Sequence, residues 1–92
     1  MQNAEIAAVF QDVAELLKLK KDNIFKIRAY EKAARSIEQL TVDLAQMAAE
    51  DRLGEVTGVG EAIAKKITEL VNTGKLGYYE KLKAEFPEGK RH

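Results

Sequence analysis

The chain of 92 residues has room for one small domain, whose single core leaves little space for a deep cleft. It has one proline, no cysteine and one histidine, His92, at its end, which excludes a disulfide framework, a thiolate or multi-histidine metal site and a histidine-based catalytic dyad within the fold. The 15 Lys and Arg residues cancel the 15 Asp and Glu residues, so the net charge favours no class of partner.

Two helices are predicted in the first forty residues. Asn3 is a suitable N-cap for a helix over about residues 4–19, because apolar residues then recur at intervals of three and four. Asn23 can cap a second helix, in which four basic side chains lie beside or opposite the apolar stripe.

Two more helices flank a glycine-rich turn. Thr41 is expected to cap a short third helix that ends near Arg52. Three glycines within seven residues then mark a tight turn. The fourth helix is expected to begin near Glu61 and to end at Gly74, which suits a left-handed C-terminal cap.

A short fifth helix is expected over about residues 77–85, with Pro87 ending it and residues 88–92 frayed. No stretch alternates between apolar and polar residues for long enough to predict a strand. The prediction is an all-α fold with a single domain over residues 1–92, a small bundle of four main helices and a short C-terminal helix. Its core is expected to contain Phe10, Val13, Leu17, Ile27, Ile37, Leu44, Ile63, Ile67 and Leu70.

The charges are unevenly distributed along the chain. Residues 18–35 carry seven Lys or Arg against two Asp or Glu, and residues 62–92 carry seven against four, whereas the other two stretches are net acidic. If the two basic stretches fold side by side, a neutral protein still presents a basic face. The alternative is a solvated helical surface of mixed charge.

The glycine-rich turn carries the most specific signal. The segment from Val56 to Ile67, with Gly58 and Gly60 before a helix that begins at Glu61 and Ala62, resembles a helix-hairpin-helix motif. Two such glycines let the backbone approach a phosphate, and the free N–H groups of the following helix can donate to it. The alternative is a purely structural turn between helices.

The same resemblance implies a cation at the turn. In such hairpins, backbone carbonyls hold a monovalent ion that bridges to DNA, and the corresponding oxygens here are those of Gly54, Val56 and Val59. We therefore expect Na⁺ or K⁺ at this place when DNA is bound, and no other cofactor.

A wider resemblance covers residues 3 to about 88. The second helix, from Asn23 to Ile37, together with the glycine turn and the segment Thr73-Gly74-Lys75-Leu76, is similar to the amino-terminal domain of family X DNA polymerases, with bacterial and archaeal members closest. This resemblance implies a DNA-repair module that binds gapped or 5′-phosphate-containing DNA without reading its sequence. The palm domain of the family, with its metal-binding aspartates, has no counterpart in these residues, so this chain cannot polymerise DNA by itself. It is either a domain of a parent chain that carries a palm or a stand-alone relative.

The resemblance also assigns individual residues. The family's Schiff-base lysine, which removes a 5′-deoxyribose phosphate in some members, corresponds to Lys66. Lys26 and Tyr30 match part of the family's phosphate pocket, and Lys65 adds a second cation beside Lys66. The implied interface with DNA thus consists of these four side chains, the two glycines Gly58 and Gly60, and the start of the fourth helix at Glu61 and Ala62.

Three positions of that pocket differ from the family pattern. Phe25 stands in place of a histidine, and Ala62 and Tyr78 stand in place of lysines. Because fewer cations would hold the 5′-phosphate, we expect weak or absent lyase activity, with Lys66 kept as a phosphate-binding cation.

Three functions therefore remain open: a DNA-binding module, a deoxyribose-phosphate lyase, and a protein-interaction domain, which the balanced charge keeps possible. No apolar run approaches the ~18–20 residues needed to cross a membrane, and the first residues show no basic leader. The sequence thus predicts a soluble, monomeric, cytoplasmic protein without membrane contact, associated with the nucleoid if it is bacterial or archaeal.

Overall fold

A computed structural model describes residues 1–86, and this part of the chain is all helical, as predicted. The expectations for Pro87 and residues 88–92 lie outside the described residues. One short 3₁₀ turn, Leu53–Glu55, precedes the fourth helix. The five helices are α1 (Asn3–Leu19), α2 (Ile24–Glu38), α3 (Leu44–Ala49), α4 (Glu61–Thr73) and α5 (Gly77–Glu85).

The core lies between α1 and α2, which form the most extensive helix pair, and extends to α4. All nine residues predicted for the core are buried. The side chain of Ile67, on α4, is fully buried and connects the glycine-rich half of the chain to this core. No helix among the described residues has the length and hydrophobicity required to span a bilayer.

The predicted N-cap of α1 is wrong. Asn3 is the first residue of the helix, and Gln2 precedes it as the cap, with its backbone N–H donating to the Glu5 carboxylate at 2.7 Å. The Asn3 amide instead joins α1 to the start of α3. Its Nδ2 donates to the Val42 carbonyl at 2.8 Å, and its Oδ1 accepts the Leu44 N–H at 2.9 Å.

The predicted bounds of α3 are also wrong at both ends. Asp43, not Thr41, is its N-cap, and the Asp43 carboxylate accepts a backbone N–H at 3.2 Å. The helix ends three residues before Arg52 because Asp51 adopts a left-handed conformation with φ of 57°. The Arg52 N–H then bonds back to the Met47 carbonyl at 2.8 Å, in the manner of a Schellman cap.

The other predicted helix ends are confirmed. The Asn23 side chain caps α2 by accepting the Phe25 N–H at 2.8 Å. Helix α4 begins at Glu61 and ends before Gly74, whose φ of 76° is the left-handed conformation that glycine adopts without strain.

Helix α5 returns to pack on α1. The Tyr79 hydroxyl donates to the Asp12 carboxylate, and the Lys20 ammonium lies 3.3 Å from the Glu85 carboxylate. These two ties fix α5 along α1. They leave its second residue, Tyr78, beside α2, where it forms part of the candidate site.

Candidate nucleic-acid interface

The glycine turn (residues 56–60) has a conformation that explains its sequence. The Val59 N–H donates to the Val56 carbonyl at 3.1 Å and closes a β-turn. Gly58 occupies the third position of that turn with φ of 82°, which other L-residues adopt only with strain. Gly60 is extended, with φ of −88° and ψ of −174°, and delivers the chain into α4.

The N-terminus of α4 presents free backbone donors. Its first internal hydrogen bond joins the Ala64 N–H to the Gly60 carbonyl at 2.9 Å, and no side chain caps the helix. The N–H groups of residues 61–63 therefore have no acceptor within the helix. Such donors, with the positive end of the helix dipole, favour an anion at this end of α4.

The α2–α4 depression is a shallow concavity of about 470 Å³ where α2 meets the glycine turn and the start of α4. It is lined by Lys26, Ala29, Tyr30, Gly58, Gly60, Glu61, Ala62, Ile63 and Lys66. All but one of the residues predicted for DNA binding therefore lie together. The exception is Lys65, which lines a separate depression of about 350 Å³ beside Gly54.

Lys26 and Lys66, both of which line this depression, approach the same aromatic ring, that of Tyr78. The sequence analysis noted Tyr78 only as the replacement of a family lysine. The Lys66 Nζ lies 5.0 Å and the Lys26 Nζ 5.4 Å from the centroid of the Tyr78 ring. A side-chain interaction with Tyr78 raises the pKa of Lys26, and Asp22, 3.8 Å away, acts in the same direction. No local sequence pattern could reveal this contact, because the three residues come from three different helices.

Tyr30 lies beneath this arrangement and connects it to the core. Its ring is stacked on Tyr78, with centroids 6.0 Å apart, and on Phe10, with centroids 5.8 Å apart. Burial raises the pKa of Tyr30. Tyr30 is thus a buried member of the site.

The comparisons with known proteins agree with this geometry. Residues 1–76 match the helix-hairpin-helix domain family. The chain belongs to that family. Over 89 residues, or 97% of its length, it is also 34% identical to DNA polymerase/3′-5′ exonuclease PolX of Bacillus subtilis (strain 168). The match falls in the N-terminal region of that polymerase and spans 15% of its length, which confirms the predicted likeness to family X polymerases.

The helix-hairpin-helix places both basic stretches of the chain around its glycine turn. Lys26 and Lys32 come from one stretch and Lys66 from the other. The stem of Lys32 lies against the turn, so that a Cβ built at Gly58 would be 3.0 Å from its Cγ. Lys32 therefore lies against the glycine turn, while Lys26 and Lys66 line the depression at the start of α4.

Two carboxylates moderate this charge. Glu61 lines the α2–α4 depression and lies 3.6 Å from the Lys65 ammonium in a pair of largely exposed side chains. Asp22 pairs with Lys26. Among residues 1–86, no carboxylate forms an ion pair with Lys66, so its ammonium remains available to a ligand.

The carbonyl groups predicted to hold a cation belong to this same hairpin. The Val56 carbonyl already accepts the Val59 N–H, which leaves it one lone pair for a metal ion. Neutral carbonyl oxygens are ligands of the kind that Na⁺ and K⁺ accept, so the chemistry of these groups is compatible with a monovalent ion. The described residues contain no cluster of three or more His, Cys, Asp or Glu side chains that could hold a metal.

The aromatic side chain of Phe25, next to the depression, is not packed into the core. Phe25 precedes Lys26 in the first turn of α2, and 76% of its surface is exposed. Ile24, beside it, is also exposed. The first turn of α2 therefore presents an apolar surface adjoining a lysine of the candidate interface.

Proposed function

We propose that this helix-hairpin-helix domain binds DNA through the sugar-phosphate backbone, without sequence preference. The observation that carries the proposal is the α2–α4 depression, which joins Lys26 and Lys66 to the uncapped N-terminus of α4. Each of these groups suits a phosphate oxygen as its acceptor. Phosphate contacts position a protein on DNA but carry no direct sequence information.

We further propose that the preferred DNA is gapped and carries a 5′-phosphate, as in DNA repair by family X polymerases. The exposed ring of Phe25 supports this preference, because an aromatic side chain can stack on an unpaired base but not on one inside a duplex. The name of the Bacillus subtilis relative supports a parent chain with a polymerase palm domain. A domain with this role would act on the chromosome, in the cytoplasm.

The monovalent cation is part of this proposal. The carbonyl groups of Gly54, Val56 and Val59 would hold Na⁺ or K⁺, and the ion would supply positive charge for a phosphate oxygen. Affinity for duplex DNA should then depend on which monovalent cation is present at constant ionic strength.

A salt titration tests the backbone proposal. Affinities for gapped and intact duplexes of two unrelated sequences would be measured by fluorescence anisotropy over 50–200 mM salt, a range in which each phosphate contact contributes a slope of about −0.9. We expect equal affinity for the two sequences, a steep salt dependence and tighter binding to the gapped duplex. Absence of binding at the lowest salt would favour the protein-interaction function instead.

Gly60 gives the sharpest single variant. A Cβ at this position meets no atom within 4 Å in the free protein, so Gly60→Ala is compatible with the fold but intrudes on a phosphate at the turn. We expect weaker DNA binding with unchanged sequence preference. Gly77→Ala is the matched control, because its Cβ would make only an ordinary contact of 3.5 Å with Glu69, outside the depression.

The lyase is the second candidate, and it is favoured by the absence of an ion pair at Lys66 within the described residues. In that reaction the uncharged Lys66 amine would attack the C1′ aldehyde of the opened sugar and lose water to form an imine. We propose that Lys66 acts chiefly as a phosphate-binding cation, so that Lys66→Ala reduces the salt slope by about one. Efficient borohydride trapping that disappears in Lys66→Ala would establish the enzyme instead.

A further inference from the structure

Tyr78 occupies an unusual position, since two ammonium groups approach its ring. The Lys66 Nζ lies 5.0 Å and the Lys26 Nζ 5.4 Å from the ring centroid. The two ammonium groups are thus no more than about 10 Å apart, one Debye length at 0.1 M salt, where like charges still repel. Both side chains are long and flexible, so a contact that keeps the two ammonium groups at this place would restrict their movement.

The ring of Tyr78 can do so. An aromatic face carries negative electrostatic potential and attracts an ammonium group within about 6 Å of its centroid, a condition that both lysines meet. The ring is itself fixed, because it is stacked on Tyr30, which is stacked on Phe10 in the core. The attraction is therefore exerted from a fixed place in the fold.

The hydroxyl group of Tyr78 lies close to the Lys26 ammonium but makes no hydrogen bond of normal geometry to it. Its oxygen is buried and has no hydrogen bond of acceptable geometry to any described residue, although its proximity raises the pKa of Lys26. A buried hydroxyl without a partner contributes no net stability, and its removal is nearly neutral or favourable. The part of this side chain that both ammonium groups approach is its ring.

We propose that Tyr78 is a positioning residue of the DNA-binding site, whose ring holds the Lys26 and Lys66 ammonium groups beside the α2–α4 depression. This inference rests on the proposed function, since it gives those lysines phosphates to bind. Lysine side chains that the ring already restrains in the free protein lose less rotamer freedom when they contact DNA. The entropic cost of binding is therefore lower.

Two substitutions distinguish the contribution of the Tyr78 ring to DNA affinity from that of its hydroxyl group. Tyr78→Phe keeps the ring, and we expect DNA affinity within about twofold of the parent protein. Tyr78→Leu keeps apolar bulk but removes the ring, and affinity should fall by about 2- to 10-fold for each lysine released. Both would be measured at 25 °C after thermal melts have shown that each variant is folded at that temperature.

A double substitution excludes a merely structural effect. In the Lys26→Met/Lys66→Met background there are no ammonium groups for the ring to hold. Tyr78→Leu should then cost no further affinity, whereas a loss equal to that in the parent background would mean that Tyr78 acts on the fold and would overturn the proposal.

A measurement without DNA tests the contact between the Tyr78 ring and the two lysines separately from DNA binding. Ring current from Tyr78 should shift the Hε resonances of Lys26 and Lys66 upfield in the parent protein and in Tyr78→Phe, and the shift should vanish in Tyr78→Leu.

Unshifted resonances in the parent protein would overturn the positioning role by themselves. If the shifts are present and the parent binds DNA, unchanged affinity of Tyr78→Leu would overturn the role of Tyr78 alone. Failure of the parent protein to bind DNA would overturn the proposed function and this inference together.

Discussion

The stem of Lys32 occupies the space in which any residue other than glycine would place its side chain at position 58. A Cβ built on Gly58 would lie 3.0 Å from the Lys32 Cγ and 3.3 Å from its Cδ. The same glycine has φ of 82°, a conformation that is strained for other residues. The glycine turn and α2 therefore meet at a contact that depends on the absence of a side chain.

Gly58→Ala should consequently destabilise the fold. Left-handed strain costs about 1–2 kcal/mol, and displacement of the Lys32 stem adds to it. The change would be measured as the free energy of unfolding in urea. Gly54→Ala is the control, because its Cβ meets nothing within 4 Å and its φ is not positive, so its effect should stay within about 0.5 kcal/mol. Equal losses in the two variants would show that Gly58 has no special role.

The link between α4 and the core can be tested at Ile67. Its side chain is fully buried, so Ile67→Ala removes apolar contacts and leaves a cavity. We expect a loss of about 2–5 kcal/mol in the free energy of unfolding, with an unchanged denaturant m-value. A loss below about 1 kcal/mol would mean that α4 can shift to fill the space.

The ion pair between α1 and α2 predicts a dependence of stability on pH. The Lys18 ammonium, 2.7 Å from the Glu31 carboxylate, donates a hydrogen bond that lowers the pKa of Glu31. Because the folded-state pKa is lowered, this stabilisation is present above the ordinary glutamate pKa of about 4.3 and is lost as the pH falls through the lower folded-state value.

Glu31→Gln should therefore lower the melting temperature at pH 7. The difference from the parent protein should shrink as the pH falls below the ordinary glutamate pKa of about 4.3, and it should vanish once the pH is below the lowered folded-state pKa of Glu31, where the carboxyl group of the parent is protonated. Glu38→Gln, an exposed position at the end of the same helix, should show no comparable difference. A pH-independent difference at Glu31 would assign the effect to packing.

Neutralising Glu61 should strengthen DNA binding. Its carboxylate lines the α2–α4 depression, where it repels a phosphate, and it also pairs with Lys65. Glu61→Gln removes the repulsion, releases Lys65 and leaves the backbone donors of α4 in place. We expect affinity to rise by about 2- to 5-fold at low salt, the scale of one exposed charge interaction. Weaker binding by Glu61→Gln in anisotropy titrations would place the phosphate away from this end of α4.

Local sequence rules were sufficient where a helix end depends on its own residues. Asn23 and Gly74 were predicted correctly because an N-cap amide and a left-handed glycine act within one turn. The prediction for Asn3 failed because a tertiary contact intervenes, whereas the prediction for Thr41 failed because Asp43, two residues later, caps α3 with its own carboxylate. The Asn3 amide is engaged at the start of α3, and this engagement also helps to fix where α3 begins.

The residues of the candidate site also fall into those that the sequence could predict and those that it could not. Gly58, Gly60 and Lys66 belong to one continuous pattern, so the sequence alone could group them. The place of Tyr78 beneath Lys26 and Lys66 depends on how α5 folds back over α1 and α2, which no spacing along the chain encodes. By residue type alone, Tyr78 counts as a lost lysine of the family's pocket. In the structure, its ring instead contacts the two lysines that remain.

The docking of α5 on α1 has a dynamic consequence. A nine-residue helix is not stable by itself, so the Asp12–Tyr79 contact, the Lys20–Glu85 pair and other packing on α1 keep α5 in place. Whenever α5 detaches, Tyr78 leaves with it, so by the inference above the undocked molecules bind DNA more weakly, and the observed affinity depends on the fraction of molecules in which α5 is docked. Amide hydrogen exchange in α5 thus measures how often the helix detaches. The exchanging residues do not themselves line the depression, yet their exchange reports on the state of the DNA-binding site.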